Sequence, residues 1–346
     1  MPLFTEAPNS ICILRLSAIG DVCHAIACVQ SIQRQWPETS ITWVCGTIEA
    51  QLLHHINNVN VISFDKKSGV KAYLALYRQL KNKKFDALLH MQAALRASVA
   101  SLMIKAKYKL GFDKARAKDF QWLFTNQKIN MPISEHVLDG FMAFAQKLGV
   151  QDLKVEWNLN IPSHCKERAK GLIQSKPTFL ICPAASKVYK NWTINGYIEI
   201  AKYAIKKGFQ VFICGSPSLL EKEIAQKITN ETNQQSINLI GKTSLIELLA
   251  LIEEANLILA PDTGPTHMAT MVNTPAIGLY AHHNPKRTGP YHQLKNVISV
   301  YEEGITKQTG KPLEQLPWRA RVKDEHAMQN ITIDNVIALF NKIIKT

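Results

Sequence analysis

The sequence predicts an α/β protein made of two Rossmann-like, doubly wound halves, and three observations predict it. Short apolar runs alternate with amphipathic segments of helical period along most of the 346 residues. That alternation loosens once, between Val155 and Lys176, and then restarts. No low-complexity tract or short repeat interrupts it, and the length suffices for two domains, each with its own core.

In the first half, Ile11 to Leu16 reads as a strand broken only by Arg15, and it runs into Ser17-Ala18-Ile19-Gly20-Asp21. A helix with Val22, Ala25, Ile26 and Val29 inward follows and stops at Trp36-Pro37, after which Ile41 to Cys45 forms the next strand. Further strands are expected at Val59 to Phe64, Phe85 to His90 and Tyr108 to Phe112. Helices are expected at Leu52 to Ile56, Ala72 to Leu80, Ala93 to Ile104 and His136 to Leu148, the last closed by Gly149.

The second half opens after Ile161-Pro162-Ser163 and a single polar helix. Its expected strands are Thr178 to Cys182, Gln210 to Cys214, Ile237 to Ile240, Leu257 to Ala260 and Ala276 to Tyr280. Between them lie helices at Asn195 to Lys207, Leu219 to Thr229 and Ser244 to Glu254, the last begun by the capping box Ser244-x-x-Glu247. Beyond Tyr280 come the polar loop His282 to Arg287 and the stretch Pro317 to Lys323. A final helix, Ile331 to Ile344, carries an apolar face that must pack on something, and a return to the first domain is expected. The expected division is 1–165, 166–330 and the terminal helix 331–346.

Composition narrows the function classes. With 46% hydrophobic and 20% charged residues the chain is a globular protein, no run approaches a membrane span, and Met1 to Ser10 does not read as a signal peptide. A cytoplasmic protein is expected. The seven cysteines lack Cys-x-x-Cys spacing, so buried reduced thiols are expected and no metal site. Between Lys66 and Lys118 fourteen Lys and Arg face two acids, so this segment holds +12 of the net +14. Such a surplus calls for an anionic partner: nucleic acid, acidic lipid or an anionic sugar.

The chemistry is concentrated at strand-to-helix turns. At Pro261-Asp262-Thr263-Gly264-Pro265-Thr266-His267, an apolar strand gives way to a helix that Asp262 or Thr263 can cap. Its outward N–H groups suit a phosphate, with His267 as a further donor. The plainer reading is an ordinary capped turn. The first turn holds one glycine and lacks Gly-x-Gly-x-x-Gly, which argues against a dinucleotide site, and neither a Walker phosphate loop nor a nucleophile elbow is present.

Three motifs, in order, carry a family resemblance. Arg15 to Val22, the loop Pro183-Ala184-Ala185-Ser186 through Lys190-Asn191-Trp192, and Pro261 to His267 together resemble glycosyltransferase family 9, the ADP-heptose lipopolysaccharide heptosyltransferases. The resemblance implies a GT-B fold, two Rossmann-like domains facing across a cleft, with the acceptor on the first and the nucleotide sugar on the second. It implies an inverting transfer with Asp21 as the general base; as a residue alone, Asp21 reads equally as an N-cap. On the donor side it implies Ser186, Lys190, Asp262, Thr263, Gly264, Thr266 and His267, and either Glu221 or Glu223 for the ribose. On the acceptor side it implies Arg15 and Arg96; Ser17 of the same motif and Lys66, Lys67, Lys71 and Arg116 of the basic segment are further acceptor candidates.

No cofactor and no obligatory metal are implied, since cations and N–H donors can hold the diphosphate. The implied partners are an ADP-sugar and the anionic Kdo–lipid A acceptor, met at the inner face of the inner membrane. Two other readings stand beside this one: a family member using another nucleotide sugar or a protein acceptor, and a basic nucleic-acid-binding protein. The latter lacks an aromatic platform or named nucleic-acid motif in the basic segment.

Overall fold

Twelve strands form two all-parallel sheets in the computed structural model, which describes every residue except Ile133, Ser175 and Thr346. The chain divides into two units, Met1–Asn160 and Ile161–Thr346. The first sheet contains β1 (Ser10–Leu14), β2 (Ser40–Gly46), β3 (Val59–Phe64), β4 (Phe85–His90), β5 (Ala106–Gly111) and β6 (Gln127–Lys128). The second contains β7 (Thr178–Ile181), β8 (Gln210–Ile213), β9 (Ile237–Asn238), β10 (Leu257–Pro261), β11 (Ala276–Tyr280) and β12 (Val297–Ser299).

The strand orders are β3-β2-β1-β4-β5-β6 and β9-β8-β7-β10-β11-β12. Both are the Rossmann order, with the switch point beside the first strand of each unit. The central strands are apolar runs because helices cover both faces of a parallel sheet. Ile11, Cys12, Ile13 and Leu14 of β1 and Leu257, Ile258, Leu259 and Ala260 of β10 have no accessible surface. β6 and β12 were outside the expected set. They sit at sheet edges: β6 is the polar pair Gln127-Lys128, and β12 has three residues that end on Ser299.

In the first unit the helix Ile19–Gln35 is buried continuously from Val22 to Ile32 and packs on the helix Val137–Leu148. The latter is capped by the His136 ring, which accepts the Leu138 N–H at 3.0 Å. It ends at Gly149, φ +124°, where a Cβ would come within 2.3 Å of the Phe4 carbonyl oxygen; only glycine fits. In the second unit the expected capping box at Ser244 and Glu247 is formed. All seven cysteines are buried and free, and burial pushes the Cys28 thiol up to about 12.

The terminal helix, Ile333–Ile344, corrects the expectation that it returns to the first domain. It packs on the helix Ile194–Lys206 and on β11, so it completes the core of the second unit. Phe340, with no accessible surface, meets the rings of Phe179, Tyr203 and Phe209 at centroid distances of 5.2, 5.9 and 5.1 Å. An amphipathic period states that a face is buried but not against what. Here the aromatic pocket between β7 and the helix Ile194–Lys206 supplies the partner.

Phe340→Ala should therefore destabilise the second unit by about 3–5 kcal/mol, the usual cost of emptying a buried aromatic site. Urea unfolding followed by circular dichroism checks this, and a loss below about 1 kcal/mol would mean the helix is not part of that core.

Candidate active site

In a parallel sheet the C-terminal ends of all strands lie on one edge, and the loops leaving them carry the functional groups. In the first unit β1 ends at Leu14, and Arg15 to Ala18 lead into the helix Ile19–Gln35. The N-cap is Ala18, so the N-cap reading of Asp21 is corrected: Asp21 stands in the first turn, three residues on, and its Oδ2 reaches back 3.5 Å to the Ala18 N–H. The same oxygen is ion-paired with Arg15 Nη2. Arg15 Nη1 donates to the Met91 carbonyl at 2.6 Å, and its guanidinium lies 5.4 Å from the Phe141 ring centroid. Arg15 is thus fixed from several sides. The Asp21 side chain keeps 34% exposure and is open to a reactant.

Gln92, at the end of β4, was not singled out in the sequence. Its Oε1 accepts the Leu16 and Ser17 N–H groups at 2.7 and 3.3 Å, and its Nε2 donates to Ser17 Oγ at 3.4 Å. One glutamine therefore holds the loop that carries Asp21. Glu49, also buried here, is raised above the ordinary carboxylate range by burial, against the pull of its own backbone N–H and of Lys66 and Arg15.

The other acceptor-side candidates scatter. Lys66 and Lys67 are exposed in a short turn after β3 capped by Asp65, which accepts the Lys67 N–H at 2.9 Å, and Lys71 is exposed on the next helix. Arg96 is exposed on the helix Leu95–Ser101. Arg116 is buried: it pairs with Asp113 at 3.3 Å and donates to the Ser134 carbonyl at 3.0 Å, which commits it to the loop after β5.

In the second unit, three loops at the C-terminal edge converge. Asp262, just past β10, is 13% exposed in its side chain, and its Oδ2 accepts from Lys190 Nζ and His283 Nδ1, each at 2.7 Å. Burial works to raise its pKa, but the hydrogen bond from His283 and the charge of Lys190 outweigh it and hold the carboxylate well below its usual range. Burial in turn pushes His283 down, against the hydrogen bond and charge of Asp262, which pull it up.

The helix Gly264–Met271 begins at Thr263, whose extended backbone caps it without a side-chain bond, and Pro265 occupies the first turn. Thr266 Oγ1 donates to the Thr263 carbonyl at 2.8 Å, and His267 is buried one turn in. The loop after β7 is shaped by Asn191, which accepts the Ala185 N–H at 2.8 Å, leaving Ser186 exposed.

After β8, Glu221 and Glu223 are told apart. Glu221 folds back to accept the Ser216 N–H at 2.8 Å, while Glu223 lies exposed along its helix. A Cβ on Gly215 would stand 2.0 Å from Glu221 Oε2, so this close approach requires glycine.

The loop His282 to Arg287 does more than its sequence disclosed. His282 places its ring nitrogens 3.1 Å from the Val322 carbonyl and 2.8 Å from that of Tyr189, joining the tail to the Lys190 loop. Arg287 stacks 4.8 Å from the Trp318 ring centroid. Only the polar density around these histidines hinted at such a role. Among the described residues no three His, Cys, Asp or Glu side chains are grouped as a metal ligand set, and no helix is long and apolar enough to cross a membrane.

The profile of glycosyltransferase family 9 (heptosyltransferase) matches residues 73–318. The chain is 50% identical to the lipopolysaccharide core heptosyltransferase OpsX of Haemophilus influenzae over 99% of both chains. It is 27% identical to lipopolysaccharide heptosyltransferase 1 of Campylobacter coli over 78% of this chain and 83% of that one. Among solved structures, a family 9 glycosyltransferase from Veillonella parvula superposes with a TM-score of 0.79 at 20% identity, covering 98% of each chain. The Escherichia coli heptosyltransferase WaaC with ADP gives 0.75 at 18% identity, covering 96% of this chain and 99% of that one. These likenesses, with the two Rossmann-order sheets, establish the GT-B fold.

His90, at the end of β4, has no accessible surface and its pKa falls from 6.5 to about 4, through burial first and then the charges of Lys109 and Arg15. The unfolded chain takes up that proton near 6.5 and the folded chain only near 4. Between those values the unfolded state binds more protons, so stability falls as the medium is acidified and levels off below the folded pKa. In His90→Gln this contribution disappears, and the stability gap between wild type and variant should narrow across the window. Parallel stability profiles against pH would show that His90 does not titrate as a buried group.

Proposed function

This chain belongs to glycosyltransferase family 9 and is a transferase, and from that premise we propose that it moves a heptose from ADP-heptose to the Kdo-containing inner core of lipopolysaccharide. The observation that carries the acceptor class is the 50% identity, over 99% of both chains, with a lipopolysaccharide core heptosyltransferase. The reaction is placed at the cytoplasmic face of the inner membrane, where Lys66, Lys67 and Lys71 meet an acidic acceptor.

In this reading the acceptor hydroxyl attacks the anomeric carbon with inversion. The new C–O bond forms as the bond to the β-phosphate breaks, ADP leaves, and the hydroxyl proton passes to the Asp21 carboxylate. Arg15 and Gln92 keep that carboxylate in place rather than take part in the proton transfer. The charge growing on the diphosphate is met by Lys190 and by the N–H groups at the start of the helix Gly264–Met271, with no metal invoked. Ser186, Thr263, Gly264, Thr266 and His267 line the same donor side, and Glu221 serves the ribose.

Asp21→Asn keeps the shape and removes the basicity. Transfer should slow by at least about a hundredfold with unchanged melting temperature and donor affinity, the low end of what a positioned general base contributes. Turnover within a few-fold of wild type would transfer the role to another group.

Lys190→Ala should raise the donor KM and lower kcat together, because a cation on the diphosphate acts on both ground state and leaving group. It should also lower the melting temperature, since Asp262 loses its lysine partner. Steady-state kinetics against a panel of nucleotide sugars reads the first effect and the donor identity at once; unaltered donor kinetics would confine Lys190 to pairing with Asp262.

A further inference from the structure

The loop between β5 and β6 inverts the usual placement of its side chains. Gln121 is buried, its Nε2 donating to the His90 carbonyl at 2.8 Å and its Oε1 accepting the Phe112 N–H at 3.2 Å. Its neighbours Phe120 and Trp122 are each 66% exposed, and Leu123 is 62% exposed. This is not a frayed segment. The Gln121–Leu123 turn is closed by Leu123 N–H to Phe120 C=O at 2.9 Å and Phe124 N–H to Gln121 C=O at 3.0 Å.

The backbone holds the rings outward against its own preference. Asp119 and Phe120 have φ of +51° and +56°, the left-handed region, which a bulky aromatic residue seldom adopts. Strain of this kind persists where the surroundings impose it, and it concentrates at working surfaces. Phe120 and Trp122 line a concavity of about 810 Å³ whose wall also holds Lys114, Lys118, Lys128 and Lys147, with no acidic residue in the lining. Among these lysines, Lys118 has Asp119 at 3.8 Å and Lys147 donates to the Met1 carbonyl at 2.8 Å.

We propose that this aromatic turn and its ring of lysines form a docking surface for an anionic lipid bilayer. Phe120, Trp122 and Leu123 enter the boundary between headgroups and acyl chains, and the lysines take lipid phosphates. The chemistry favours a bilayer over a soluble anion because the patch pairs exposed apolar rings with cations on one turn, and aromatic side chains partition to membrane interfaces. A nucleic acid would use the same cations but leave Leu123 without a role. The surface deepens the membrane-side reading above, but its test needs no donor and no catalysis, so the failure of one is told from the failure of the other.

Co-sedimentation of the full chain with phosphatidylglycerol vesicles, without any nucleotide sugar, tests it. Binding should exceed that to phosphatidylcholine vesicles and weaken as salt rises. Phe120→Gly is the decisive variant: glycine relieves the left-handed backbone, so the melting temperature should hold or rise while vesicle affinity drops by about tenfold, the cost of one aromatic anchor. Trp122→Ser should lose a comparable amount and Trp122→Phe much less. Lys114→Gln with Lys118→Gln should lower affinity for phosphatidylglycerol and leave the weak phosphatidylcholine binding unchanged.

Equal vesicle binding by wild type and Phe120→Gly overturns the proposal. So does a loss of heparin or RNA binding in Phe120→Gly with vesicle binding intact, or a wild-type dimer that becomes monomeric in that variant with no change on vesicles.

Discussion

The largely buried carboxylate of Asp262 is the constraint around which the loops at one edge of the second sheet are arranged. A carboxylate taken out of water must be met by charge and hydrogen bonds or give up its ionisation. Here the partners come from two other loops: Lys190 from the segment after β7 and His283 from the segment after β11. Three strand ends are thereby tied to one oxygen. His282 extends the tie to Val322 and Tyr189, and the Trp192 indole adds a bond to the Ile331 carbonyl at 2.9 Å, so the tail becomes part of the same framework. The tail is accordingly a brace for the candidate donor side.

The two units solve a related problem with the same device. In each, a carboxylate in the first turn of a helix folds back over the loop that precedes it: Asp21 toward the Ala18 N–H, Glu221 onto the Ser216 N–H. Helix N-termini favour negative charge there, through unpaired N–H groups and the helix dipole. The difference lies in what else the acid touches. Glu221 is held among the hydroxyls of Ser216 and Ser218, whereas Asp21 is held by a guanidinium that is itself anchored to Met91 and Phe141. A carboxylate clamped on one side and open on the other is suited to exchange a proton with a reactant.

Most of the fold was legible because parallel strands covered on both faces are written as unbroken apolar runs. The central strands show this, β3 and β5 alternate with polar residues, and β9 was marked by the apolar residues around it, while β6 is the polar pair Gln127-Lys128 and β12 has three residues. The motif residues Asp21, Lys190 and Asp262 were legible from their turns. Their partners were not, since a bond such as that between Gln92 and Leu16 spans 76 positions and leaves no local trace. His283 as the second donor to Asp262, and the packing of the terminal helix within the second unit, are products of tertiary distance in the same way.

Net charge shows the limit of composition most plainly. The segment from Lys66 to Lys118 holds +12, yet its cations are not equivalent. Arg116 is spent on Asp113 and Ser134 inside the loop after β5, and Lys109, lowered by burial, donates to the Ser101 carbonyl at 3.0 Å. What remains on the surface is spread over the turn after β3, the helix Val70–Leu80 and the lysines that follow it, Arg96, Lys105 and Lys107, with only Lys114 and Lys118 beside Phe120 and Trp122. Counting charge calls for an anion; only burial and partners tell which lysines can meet one. Because Gln121 binds the His90 carbonyl and the next carbonyl, Met91, receives Arg15, the exposed aromatic turn and the Asp21 carboxylate hang from adjacent residues of one strand end. The proposed docking turn and the candidate base are in this way held at the same edge of the first sheet.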